Sequence, residues 1–178
     1  NIEDIHITLE PVYEAVTNIR SKLETNITFI GFAGSPWTVS TYMIEGKGSK
    51  DHIKTKTFML NYPEVFKKLI VKIQDATIEY LSKQIEGGVD VIKLFDSWAN
   101  SLPATYTEKY SLEPMKVIAK EIKKRFPKTP IIVFPRGVGP MYKKFAMVKE
   151  FDCVAVDSSI DLDWAKKNIQ KEKVIQGN

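Results

Sequence analysis

Residues 31–49 read GFAGSPWTVSTYMIEGKGS, from Gly31 to Ser49. Just ahead of them, Ile27 to Ile30 forms a short apolar and β-branched run that reads as a strand. Gly31 and Gly34 allow close backbone approach. Ser35-Pro36 then fits a helix start, because proline at the first helical position loses only an N–H that would be unpaired anyway. Residues 35–44 read as that helix. A strand that ends in Ala33-Gly34-Ser35 and runs straight into a helix is one βα unit.

The unit recurs along the chain. Strand-like runs at 26–34, 89–97, 129–137, 151–159 and 173–178 alternate with helical patterns. The helical patterns cover about 11–23, 35–44, 63–86, 113–125, 139–150 and 162–170, and Gly87-Gly88 stops the longest of them. This alternation predicts an α/β fold with a parallel sheet and outer helices. The strands are nearly continuous in apolar residues, as expected when both faces are covered. Each strand ends in small, polar or glycine residues, which is where ligands bind in barrels and in open α/β sheets. A closed barrel and an open doubly wound sheet both fit. No GxGxxG or GxxxxGK[ST] turn is present, and EGKGS follows a helix rather than a strand.

The chain of 178 residues suits one domain but is short of the roughly 250 typical of a complete α/β barrel. Hydrophobic and charged contents of 43% and 27% are those of a soluble globular protein. The net charge of +4 comes mostly from lysines spread along helical segments, which read as solvated faces. They form no basic cluster interleaved with aromatics, so no nucleic-acid partner is expected. No apolar run approaches the roughly 20 residues of a membrane helix, and no leader pattern opens the chain. The one cysteine, Cys153, sits in the apolar run CVAV and reads as a buried, inert thiol. These features predict a cytoplasmic chain.

Three strings carry a more specific signal. GFAGSPWT continues into TYMIEGKGSK across Thr41 to Lys50; LFDSW follows at Leu94 to Trp98; IQGN closes the chain. In this order and at these separations, they make residues 27–178 resemble the uroporphyrinogen decarboxylase family. The resemblance implies a (β/α)8 TIM barrel in the full enzyme, here an incomplete barrel of about five parallel strands forming a single domain. It also implies a homodimer and a tetrapyrrole substrate. The implied reaction removes carboxyl groups from the four acetate side chains of uroporphyrinogen III, giving coproporphyrinogen III without metal or prosthetic group.

The same resemblance assigns substrate binding to Tyr42 and Ser97, and pocket walls to Phe32 and Phe95. From the residues alone, Tyr42 reads first as a packing tyrosine on an amphipathic helix, and Ser97 equally as a turn or cap serine. Asp96, beside Ser97, is expected to be structural, as is Asp157. His6 and His52 lie in polar stretches, read as exposed, and have no partners at metal-ligand spacing. The family's arginine-bearing RQAGRY-like segment and its aspartate strand are expected in a missing N-terminal part. Its LDP turn and histidine strand are likewise missing at the other end. The chain by itself is therefore expected to be inactive. Two other readings compete. One is a corrinoid-dependent methyltransferase of the same superfamily, which would need a histidine and two cysteines for zinc. The other is a non-catalytic barrel fragment acting as an interaction module.

Overall fold

The computed structural model describes residues 3–177, so Asn178, the last residue of the IQGN string, lies outside the described residues. Five strands form one parallel sheet: β1 (Ile30–Gly34), β2 (Val91–Asp96), β3 (Ile131–Pro135), β4 (Cys153–Ala155) and β5 (Val174–Gln176). Their spatial order is their sequence order, β1-β2-β3-β4-β5. Right-handed crossovers that always step the same way lay their helices on one face of the sheet. A doubly wound sheet must instead reverse its order at a switch point. The sheet is therefore a barrel segment.

The helices are α1 (Glu3–Lys22), α2 (Pro36–Glu45), α3 (Ile53–Asn61), α4 (Pro63–Glu86), α5 (Ala104–Thr107), α6 (Glu113–Arg125), α7 (Tyr142–Ala146) and α8 (Leu162–Asn168). Helix α1 begins before the expected residue 11 and runs through Pro11. Its inward stripe, Ile5, Leu9, Tyr13 and Val16, continues at helical spacing on both sides of the proline, and Pro11 itself is exposed. Helix α3 and the 104–112 segment, where α5 passes into a π-helical turn, lie in stretches without a helical expectation. Glu45 starts α3 by accepting from both Thr55 N and Thr55 Oγ1 at 2.9 Å.

The two faces of the sheet differ. Ile92, Leu94, Ile131, Val133 and Val154 point to the helices and are buried with Leu81, Met115, Ile118 and Ile122. Burial of each such side chain is worth roughly 1.5–3 kcal/mol. Phe32, Lys93, Phe95, Phe134 and Gln176 alternate with them and face the barrel interior. At the sheet's lower end, Asp90 accepts from Phe29 N at 2.7 Å and pairs with Arg20 at 3.0 Å. Asp152 repeats the device, accepting from Ile131 N at 2.7 Å and pairing with Lys123 at 2.8 Å. Each carboxylate fixes the register between its own strand and the one before.

Among the described residues, the outer edge of β1 is met by a side chain. Phe29 O accepts from Asp90 N and Ser35 N donates to Phe95 O, so odd-numbered backbone groups of β1 face β2 and those of Phe32 face away. Gln84 of α4 meets them there, accepting from Phe32 N and donating to Phe32 O, both at 3.0 Å. Gly31 makes room, since a Cβ on it would stand 2.7 Å from Gln84 Oε1.

Candidate active site

Helix α2 starts as the sequence predicts, with Pro36 in the first turn and extended Ser35 ahead of it. Its first turn is tied to the end of β2. Thr38 Oγ1 donates to Asp96 Oδ1 at 2.6 Å and accepts from Trp98 N at 3.2 Å. Ser111 Oγ donates to Asp96 Oδ2 at 2.5 Å. Asp96 is fully buried on the helix side of the sheet, and this burial pushes its carboxyl up to about 6 despite those donors. It braces the rim, in the structural role expected of it.

Beyond Asp96, the chain turns outward. Ser97 is half-buried at the upper end of β2 and Tyr42 is half-exposed on α2. Neither side-chain hydroxyl is engaged by another described residue. Tyr42 meets Trp98 edge to face, with ring centroids 6.3 Å apart. Trp37 Nε1 donates to Trp98 O at 3.0 Å and fixes the backbone that carries both Ser97 and Trp98.

The expectation that His52 is exposed is overturned. Only 1% of it is accessible, and its ring lies 4.9 Å from that of Trp98. A left-handed backbone (φ 51°) turns the side chain inward from an otherwise polar loop. Burial lowers the His52 pKa, so its ring is neutral at pH 7. His6 is partly exposed on α1, beside Tyr13 and Glu79.

Phe32 and Phe95 do come together, in a T-shaped contact with centroids 5.8 Å apart. Phe95 meets Phe134 the same way at 6.0 Å, so three rings line one wall of the barrel interior. Phe32 is 58% exposed toward that interior. Lys93 lies on the same face without having been expected at the site. Its Nζ donates to Gln176 Oε1 at 2.7 Å and sits 4.7 Å from the Phe95 ring centroid. The alternation VIKLF, with Lys93 in phase with Phe95, was the readable signal.

The neighbouring rim is built on Asp157, structural as expected. Tyr142 Oη and Gly137 N both donate to its Oδ2 at 2.7 Å, and Ser159 caps its other oxygen. Asp161 caps α8 by accepting from Trp164 N at 2.7 Å. Cys153 is buried and its thiol is pushed up, by burial first. Among the described residues no group of three His, Cys, Asp or Glu could hold a metal ion, and no helix is long and apolar enough to cross a membrane.

The unengaged Ser97 hydroxyl, the aromatic wall and the Lys93 ammonium thus lie toward the C-terminal ends of the strands, where barrels bind ligands, and the Tyr42 hydroxyl stands beside Trp98. The family model described as uroporphyrinogen decarboxylase (URO-D) matches residues 1–178. Uroporphyrinogen decarboxylase of Rhodobacter capsulatus is 50% identical over 177 residues, covering 99% of this chain and 52% of the relative. Those of Jannaschia sp. (strain CCS1) and Paracoccus denitrificans (strain Pd 1222) are 48% and 47% identical, over 99% and 98% of this chain and 51% of each relative. The chain thus spans about half the length of the curated relatives it matches. With barrel topology and family model in agreement over the same residues, the chain belongs to the uroporphyrinogen decarboxylase family.

Proposed function

We propose that this chain forms part of the substrate cradle of a uroporphyrinogen decarboxylase, which converts the four acetate side chains of uroporphyrinogen III to methyls. The observation that carries the reading is the pair of unengaged hydroxyls, Tyr42 beside Trp98 and Ser97 at the upper end of β2, together with the Phe32–Phe95–Phe134 wall. Each hydroxyl can donate to a substrate carboxylate, and the rings supply an apolar surface for the pyrroles. Decarboxylation proceeds by protonating a pyrrole carbon, so that the ring becomes a cationic electron sink; CO₂ then leaves, the exocyclic methylene carbon takes a proton to become the methyl, and loss of the first proton from the ring carbon restores the pyrrole. Holding the carboxylates fixes which acetate reaches the proton donor, a positioning contribution.

Catalytic roles are assigned to the arginine and aspartate of the family's N-terminal segment. Asp96, the acid next to Ser97 in the chain, is sealed on the helix side by Thr38 and Ser111. The reading extends to a homodimer in the cytoplasm, supported by family membership and by the free, buried Cys153. The test is incubation of uroporphyrinogen III with the intact protein, meaning the whole decarboxylase of which this chain is proposed to be a part, with products separated after oxidation to porphyrins. Coproporphyrin is the expected product. Recovery of only the eight-carboxylate porphyrin overturns the reading.

A further inference from the structure

The inner face of the sheet is built from aromatic and aliphatic side chains, with one ammonium among the described residues. Lys93 stands in the middle of β2, in phase with Phe95 and opposite to buried Ile92 and Leu94. A lysine on a barrel interior carries a desolvation cost unless an anion meets it. No carboxylate among the described residues lies within ion-pair distance of it. What holds it is neutral. Gln176 Oε1 accepts at 2.7 Å, and the Phe95 and Phe134 ring centroids lie 4.7 and 5.3 Å from Nζ. These contacts orient the ammonium without neutralising it. Burial accordingly lowers the Lys93 pKa.

The position is also informative. Nζ lies over the ring of Phe95, two residues further up the strand than Lys93 itself, so the side chain leans toward the C-terminal mouth. Ser97 stands two residues, or roughly 7 Å, above that level. The wall of three rings thus has a hydroxyl at its top and an uncompensated cation at its base.

We propose that the Lys93 ammonium, aimed by Gln176, is a carboxylate-binding subsite for the tetrapyrrole substrate. This rests on the decarboxylase reading and adds a residue to it. A substrate with eight carboxylates places anions around the whole rim of its macrocycle, so one that descends along the aromatic wall meets Lys93 while others meet Ser97 and Tyr42. The Gln176 amide oxygen fixes where over the Phe95 and Phe134 rings the ammonium stands. Lys93 is therefore a binding residue, with Gln176 the positioning residue behind it.

The experiment compares K93Q, K93M, K93R and Q176L with the unaltered intact protein, reading kcat, KM, melting temperature and binding of uroporphyrin, the fluorescent oxidised form of the substrate. Removing a charge-assisted contact is expected to raise KM and the uroporphyrin Kd about tenfold in K93Q and K93M, with kcat within about twofold. K93R is expected to recover most of the loss, and Q176L to show a smaller rise. Added salt should weaken uroporphyrin binding to the unaltered protein more than to K93Q. Unchanged KM and Kd in K93Q overturn the subsite, as does a fall in melting temperature that K93R does not restore while KM stays constant. An unaltered protein that binds uroporphyrin through Lys93 but releases no coproporphyrinogen supports the subsite and overturns the decarboxylase reading instead.

Discussion

Thr38 Oγ1 lies 2.6 Å from Asp96 Oδ1, so a hydroxyl in the first turn of α2 is bonded to the last residue of the neighbouring strand β2. Strand β1 feeds α2 directly, and the bond therefore fixes the angle at which α2 leaves the sheet. Tyr42, one turn further along α2, is placed by that angle over the loop that carries Ser97.

Replacing Asp96 with alanine leaves two buried hydroxyls without an acceptor. The expected cost is about 2–4 kcal/mol, read by urea unfolding. D96N should behave differently, because the amide keeps one acceptor and carries no charge. The folded carboxyl titrates at about 6, above its ordinary 3.8, so the folded state holds the proton more tightly. Stability contributed by this group thus falls as pH rises from about 4 to 6. The amide variant should abolish that slope; an unchanged slope would show that Asp96 does not carry it.

Asp157 has the opposite sign. Burial works to raise its carboxyl, but donors from Ser159, Tyr142 and Gly137 outweigh it and hold the group at about 2, below the ordinary 3.8. Its stabilisation is present above about pH 4 and is lost as pH falls toward 2. D157N should flatten this acid limb. Y142F removes one of the donors and is expected to cost about 1–2 kcal/mol at pH 7.

His52 gives an optical readout. It is buried against Trp98, and burial is the first cause of its lowered pKa; Lys56 also lowers it, while Glu45 and Asp51 oppose. A base with a depressed folded pKa stabilises the fold above its ordinary 6.5 and loses that contribution as pH falls through the folded value. Because a protonated imidazole quenches an adjacent indole, acid should dim Trp98. His52→Phe keeps the ring contact and should remove that component of the fluorescence titration. If the same acid-induced change persists in the variant, another group causes it.

Gly31→Ala tests the edge of β1. Its Cβ would stand 2.7 Å from Gln84 Oε1 and 3.0 Å from Val89 Cγ2. Gln84 must then retreat and give up both bonds to Phe32. A loss of about 1–3 kcal/mol is expected in thermal or urea unfolding. A variant as stable as the parent would show that Gln84 contributes nothing at that edge.

The sheet was readable because its strands are apolar and its long helices keep a clear period. Strand order was not readable, since barrel and doubly wound sheets share the same local pattern and differ only in where each crossover lands. The segment at 104–112 escaped for a different reason. Its shape comes from packing of Tyr110 against Phe66, far from it in sequence, with ring centroids 5.2 Å apart, rather than from local period. Tyr42 and Ser97 entered through family-like strings, because a tyrosine on a helix and a serine after a strand carry no chemistry of their own. His52 was misread because a polar loop gives no sign that one left-handed residue will turn its side chain inward.

Gln84 has a consequence beyond holding one strand. A parallel sheet with an uncovered side strand offers a template on which a second molecule can add its own backbone. Here the middle of that template is already occupied by an amide from the same chain, anchored on the longest helix. The side chain therefore lets one helix finish the hydrogen bonding of a strand it packs against, and the absence of a Cβ at residue 31 is what allows the amide to come that close.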